Sequence, residues 1–78
     1  MRKRKPITLH SAIIQITMEA ARDGNSVHMH TYIKILRQDY ARGAITFAVH
    51  GLADGRVGAV NGMGLRHVGR GYYELTEV

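Results

Sequence analysis

The chain has 78 residues, of which 45% are hydrophobic and 22% are charged. This composition supports one small folded domain and excludes two separate cores, because so short a chain buries too little surface to divide. With no cysteine, the chain has neither a disulfide framework nor a thiolate zinc site, and no apolar run approaches the roughly 18 residues of a membrane span. We therefore expect a cytoplasmic protein without membrane association.

The net charge of +5 is divided unevenly along the chain. Four of the eleven basic residues lie within the first five positions: Arg2, Lys3, Arg4 and Lys5. Residues 6–78 contain the other seven basic side chains and all six acidic ones, so their net charge is only +1 (seven minus six). We therefore divide the chain into a basic, flexible arm at residues 1–6 and a single domain at residues 7–78.

A second basic stretch lies nearer the C-terminus. Between positions 55 and 71 the chain contains Arg56, Arg66 and Arg70 but no Asp or Glu. Two basic patches on a small domain favour a polyanion as partner, most simply nucleic acid. The alternative for the arm is a solubilising tail, since basic blocks are often only solvated.

The first predicted element is a helix over residues 9–23. One helical stripe contains Leu9, Ile13, Ile16 and Ala20, and it is widened by Ile14, Met18 and Ala21. Thr8 can cap the start of this helix, and Gly24 can adopt the left-handed conformation that often follows a helix end.

A short strand and a second helix are predicted next. Residues 26–30 alternate, with Val27 and Met29 on one side and His28 and His30 on the other, which favours a strand. Helical spacing then relates Met29, Ile33, Leu36 and Tyr40, whereas the opposite face carries His30, Lys34 and Arg37. This pattern predicts an amphipathic helix that ends by Gly43.

The third quarter of the chain leaves two assignments open. Residues 44–49 are apolar and β-branched enough for either a short helix or a strand. Further on, Ala53, Val57 and Val60 have the spacing of one buried helical face, and Asp54 could serve as an N-cap. Seven of the nine glycines lie between positions 51 and 71, so a helix at 53–60 would depend on packing for its stability.

A β-hairpin is predicted at the C-terminus. Residues 65–68 form its first strand, Gly69, Arg70 and Gly71 its turn, and residues 72–76 its second strand. Tyr73 and Leu75 alternate with polar neighbours, which suits a hairpin with one covered face.

This order of elements resembles the winged helix-turn-helix DNA-binding domain family. Residues 63–76, MGLRHVGRGYYELT, resemble the end of such a domain, in which a recognition helix ends in Gly-Leu, a glycine/arginine turn forms the wing and an aromatic-x-Leu strand returns to the core. The resemblance covers about half of the chain well and the first half by element order alone. It implies an α+β fold with two or three helices on a small antiparallel C-terminal hairpin.

The resemblance also implies a DNA-binding transcriptional regulator and a set of contact residues. A recognition helix at 53–60 would bring Arg56 and Asn61 to base edges in the major groove, whereas a recognition helix at 44–50 would present Thr46 and His50 instead. The wing would place Arg66, His67 and Arg70 on phosphates or in the minor groove. The arm would lie along a groove.

Two kinds of macromolecular partner remain open. As a DNA-binding protein the chain is expected to bind double-stranded DNA as a homodimer, because one small module buries too little surface for tight recognition. Ile7, Ile14 and Met18 could then supply the self-association surface. The alternative is a protein-interaction module, such as a small phage-type modulator or inhibitor, that docks on an acidic protein surface.

Neither a metal site nor a catalytic site is expected. The pair His28 and His30 could supply two ligands from one strand face, with a third from His10, His50 or His67, but isolated surface histidines are far more common. Two serines, no cysteine and six scattered acids offer no catalytic arrangement, and no glycine-rich phosphate or dinucleotide motif is present. We expect no cofactor and no enzymatic activity.

Overall fold

The computed structural model describes residues 8–56, 58 and 60–77, which contain three α-helices and one three-stranded antiparallel sheet. The arm at residues 2–5 lies outside the described residues. The elements are α1 (Leu9–Arg22), β1 (Val27–His28), α2 (Met29–Leu36), α3 (Arg42–Asp54), β2 (Met63–Gly69) and β3 (Tyr72–Glu77). The expected α+β class with a C-terminal hairpin is confirmed.

Helix α1 begins at the predicted residue, Leu9, and ends at Arg22, one residue before the predicted end. Thr8 has extended backbone angles, and its hydroxyl oxygen accepts a hydrogen bond from the Ser11 backbone N–H at 3.2 Å. Asp23 is the C-cap, and Gly24 follows with φ +75°. Both ends are therefore determined by local backbone chemistry.

The buried face of α1 corrects one expectation. Ile14 is only 4% exposed, because it and Ile13 both face the core, where α1 packs against β3 and α3. Ile14 therefore cannot contribute to a self-association surface. Met18 is 43% exposed and stays available for one, and Ile7 lies outside the described residues.

Strand β1 is shorter than predicted, and α2 starts earlier. His28 is the N-cap of α2, where its Nδ1 accepts a hydrogen bond from the His30 backbone N–H at 3.1 Å. The prediction of a strand through His30 is therefore wrong, because this cap turns the chain into a helix at Met29. Helix α2 then ends at Leu36, and Gly43 belongs to α3.

Residues 55, 56, 58 and 60 of the helix predicted at 53–60 are not helical, and the open segment 44–49 lies within α3. Gly55 ends α3 with φ +84°, a conformation that costs little only without a side-chain Cβ. Asp54 caps no new helix; its Oδ1 accepts from the Arg56 backbone N–H at 3.1 Å. Val60 instead forms an antiparallel bridge with Met63.

The hairpin of β2 and β3 matches its prediction and joins β1 in the order β1-β3-β2. Arg70 and Gly71, the two residues between the strands, have φ +51° and +81°, as type I′ hairpin turns require. The pairing shifts between His67 and Gly69, which leaves Val68 as an extra residue in β2. The turn and this bulge together set the direction in which the hairpin tip projects.

Candidate nucleic-acid interface

The outward face of α3 is the most exposed helical surface near the hairpin. Gly43, Thr46, Phe47, His50 and Asp54 follow the spacing of one helical stripe. The opposite stripe is buried and contains Ile45, Ala48, Val49 and Leu52. Packing of this inner stripe against the core therefore fixes which side chains of α3 meet solvent.

Phe47 is the most exposed large apolar side chain among the described residues, with 63% of its surface accessible. The guanidinium carbon of Arg56 lies 4.9 Å from the centre of its ring, a cation–π arrangement. An exposed aromatic ring and a cation therefore lie side by side on the outward face of α3.

Asp54, whose carboxylate lies on this face, already forms an ion pair with Arg56. Arg56 Nε donates to Asp54 Oδ2 at 2.9 Å and to Oδ1 at 3.1 Å. The backbone N–H of Arg56, and then its guanidinium, lower the pKa of Asp54 from its ordinary value. The negative charge of Asp54 is therefore matched locally and does not dominate the face.

A cleft of about 450 Å³ separates α3 from the hairpin. It is lined by His50, Ala53, Asp54, His67, Gly71 and Tyr73. His50 thus lies on the helix wall and His67 on the hairpin wall, where its ring packs 5.1 Å from that of Tyr73. The cleft thus brings the C-terminal half of α3 opposite the hairpin.

The hairpin arginines differ in their surroundings. Arg66 pairs with Glu74 on the neighbouring strand, with Nη2 and Oε1 2.8 Å apart. The absence of acids between positions 55 and 71 is therefore misleading, since strand pairing brings in a carboxylate from outside that stretch. Arg70 is exposed beside the hairpin tip and has no ion pair within residues 8–56, 58 and 60–77.

Some predicted contact residues are brought together and others are not. Thr46, His50 and Arg56 lie on or beside α3, and His67 lines the same cleft. Asn61 instead occupies the turn before β2 with φ +54°, so neither it nor Arg56 belongs to a helix. Residues 55, 56, 58 and 60 are not helical, whereas the alternative segment at 44–50 lies within α3.

Two residues of this surface were missed from sequence: Phe47 and Arg42. Arg42 starts α3, is exposed and has no ion pair in the described part of the chain. The available signal was the buried stripe of Ile45, Val49 and Leu52, which places Phe47 on the other side once residues 42–54 are read as one helix.

The paired histidines at 28 and 30 are arranged differently from the expected strand pair. Their rings lie 4.8 Å apart, but His28 Nδ1 caps α2 and His30 belongs to that helix. In the described part of the chain, no three His, Asp or Glu side chains are grouped closely enough to hold a metal ion.

None of the described helices combines the length and apolar character needed to cross a membrane.

Comparisons with protein-family models, curated proteins and solved structures give no match to this chain.

Proposed function

We propose that this chain is a winged helix-turn-helix DNA-binding domain that acts as a small transcriptional regulator. Helix α2, the connection at residues 37–41 and helix α3 would form the helix-turn-helix, and the β2–β3 hairpin the wing. The observation that carries the proposal is the cleft at which the solvent-facing stripe of α3 meets the hairpin. A duplex seated there would touch both elements at once.

Each part of this surface has a distinct role on the DNA. Helix α3 enters the major groove with Thr46 and His50 towards the base edges. Arg70 at the hairpin tip and Arg66 beside it contact phosphates, as does the basic arm. Phosphate contacts of this kind position the protein without reading sequence.

The proposal includes a homodimer and no catalytic activity. A domain of this size covers a short stretch of duplex, so two copies on adjacent half-sites would supply the buried area that specific binding needs. We expect binding to require no cofactor, because the helix, the hairpin and the basic arm would supply the contacts.

Phe47 supports a second candidate, a protein-interaction module that binds an acidic protein surface. An exposed aromatic ring with an arginine against it is the type of group that contributes most to protein–protein binding. In that case Arg42, Arg56 and Arg70 would meet carboxylates of the partner.

Binding to random-sequence duplex DNA, measured by fluorescence anisotropy at two salt concentrations, tests the proposal. Arg70→Asn is the informative variant, because Asn tolerates the positive φ at this turn position and removes the charge. We expect weaker binding to every sequence alike and a log–log salt slope shallower by about 0.9, the value for one lost phosphate contact.

Arg22→Gln is the matched control, since it removes one exposed charge at the end of α1, away from α3 and the hairpin turn. It should leave affinity and salt slope unchanged. If the wild-type protein showed no detectable duplex binding at low salt, the proposed DNA-binding function would be wrong and the protein-interaction module would be favoured.

A further inference from the structure

We infer that α3 recognises the C5-methyl groups of thymines in the major groove, with Phe47 as the principal contact. This inference rests on the proposed function, because it concerns which bases the DNA-facing helix prefers. The exposed apolar part of α3 would then bind a DNA duplex whose thymine methyl groups lie in the major groove.

The chemistry of the α3 face favours apolar contacts over bidentate hydrogen bonds. Its sequence, RGAITFAVHGLAD, contains no Asn, Gln or Lys, and its one arginine is the first residue. The Thr46 hydroxyl donates to the Arg42 carbonyl oxygen at 2.9 Å, so its hydrogen is already used within the helix. Phe47, beside it, presents an aromatic ring that is 63% exposed.

The thymine methyl is the group that such a surface can discriminate. It is the apolar feature that a base pair presents in the major groove, and Thr methyls and Phe rings are among the side chains that contact it. His50 lies one turn further along the same stripe and can exchange one hydrogen bond with a neighbouring base edge. Gly43 has no side chain, so the ring of Phe47 projects beyond the start of the face.

The charges around Phe47 favour DNA over an apolar protein groove as the occupant. Arg56 lies over the ring and is paired with Asp54, whereas Arg42, at the start of the same helix, has no ion pair in the described part of the chain. Two arginines and one carboxylate give this surface a net charge of +1 (two minus one), which suits a polyanion.

Competition between methylated and unmethylated duplexes tests the inference directly. We expect the wild-type protein to bind poly(dA-dT) about four- to tenfold more tightly than poly(dA-dU), which keeps the base pairing but lacks the methyl groups. Methylation of every cytosine at C5 in a mixed-sequence duplex should increase affinity by a similar factor, because it adds the methyl at the corresponding position of a G·C pair.

Phe47→Ala should lose most of the preference for poly(dA-dT) over poly(dA-dU), and it should keep a melting temperature close to that of the wild type because most of the ring is exposed. Ile35→Ala, which removes an exposed apolar side chain from α2 instead, should retain the full preference. Equal binding of the two polymers by the wild-type protein, or an undiminished preference in Phe47→Ala, would overturn the inference and leave the proposed function standing. Absence of any duplex binding would overturn both, and would assign Phe47 to a protein partner.

Discussion

At the scale of single residues, the hydroxyl of Tyr32 is an unexpected part of the core. The side chain is fully buried, and its oxygen lies 2.6 Å from Thr17 Oγ1. Thr17 donates its own hydrogen to the Ile13 carbonyl oxygen at 2.8 Å, so Tyr32 is the donor in the pair. This bond joins α2 to α1 and satisfies both buried hydroxyls.

Burial raises the pKa of Tyr32 from its ordinary 10.0 to about 12, because the charged phenolate loses its hydration. Between these two values the unfolded chain releases the proton and the folded chain keeps it. The contribution of Tyr32 to the free energy of unfolding is therefore expected to be constant below about pH 10 and to fall as the pH rises towards about 12.

Urea unfolding of the wild-type protein should give a lower free energy of unfolding at about pH 11 than at about pH 8. Tyr32→Phe should lower stability by about 0.5–1.5 kcal/mol at neutral pH, through the lost hydrogen bond, and should lose less with alkali. Burial also raises the pKa of Tyr73, so part of the alkaline loss should persist in the variant. Identical alkaline profiles for the two proteins would show that Tyr32 does not titrate in this range.

At the scale of elements, α2 shows how steeply burial changes between neighbouring positions. Leu36 is 7% exposed and belongs to the core, whereas Ile35 is 52% exposed. Both are large aliphatic residues on one helix, and they differ mainly in the direction of their side chains.

Leu36→Ala is therefore expected to lower the free energy of unfolding by about 2–5 kcal/mol through lost contacts and a cavity. Ile13→Ala on α1 should cost a similar amount, because Ile13 is fully buried. Ile35→Ala, the matched control, should change stability by no more than about 0.5 kcal/mol. Equal losses for Leu36→Ala and Ile35→Ala in chemical denaturation would contradict the orientation of α2.

At the scale of the whole molecule, most of the net positive charge and the buried core belong to different parts of the sequence. Residues 6–78 have a net charge of +1, and two of their arginines are paired with carboxylates, Arg56 with Asp54 and Arg66 with Glu74. Most of the excess positive charge lies at positions 2–5, outside the described residues. Long-range attraction to a polyanion would therefore depend largely on the arm.

Deletion of residues 1–5 should leave the melting temperature unchanged, because the core is formed by residues between 13 and 73. If the arm contacts phosphates, the log–log salt slope of duplex binding should become shallower by up to about 0.9 for each lost contact. If the deletion variant had the same salt slope as the full-length protein, the arm would be only a solubilising tail.

Much of the fold follows from local signals that could be read along the chain. Thr8 and Gly24 mark the ends of α1, and the two glycines around Arg70 mark the hairpin turn, because capping and positive φ depend on neighbouring residues alone. Ile13 and Leu36 were placed in the core from helical periodicity, and both are buried.

The prediction of a helix at residues 53–60 is wrong because of the backbone conformation of one glycine. The spacing of Ala53, Val57 and Val60 imitates a helix, but the left-handed backbone of Gly55 separates the first residue from the others. Periodicity cannot detect such a break, since it counts positions and not backbone angles. The segment at 44–49, which the sequence left open between helix and strand, is instead part of α3.

By itself, the sequence determined the ends of α1, the hairpin turn, the apolar stripes and the separation of charge between arm and domain. Each of these depends on residues close together in the chain. Only the tertiary structure decided that Tyr32 is buried against Thr17, that Glu74 pairs with Arg66 and that Phe47 is exposed with Arg56 over its ring. Those features depend on contacts between distant segments, and which segments meet is settled when the core packs.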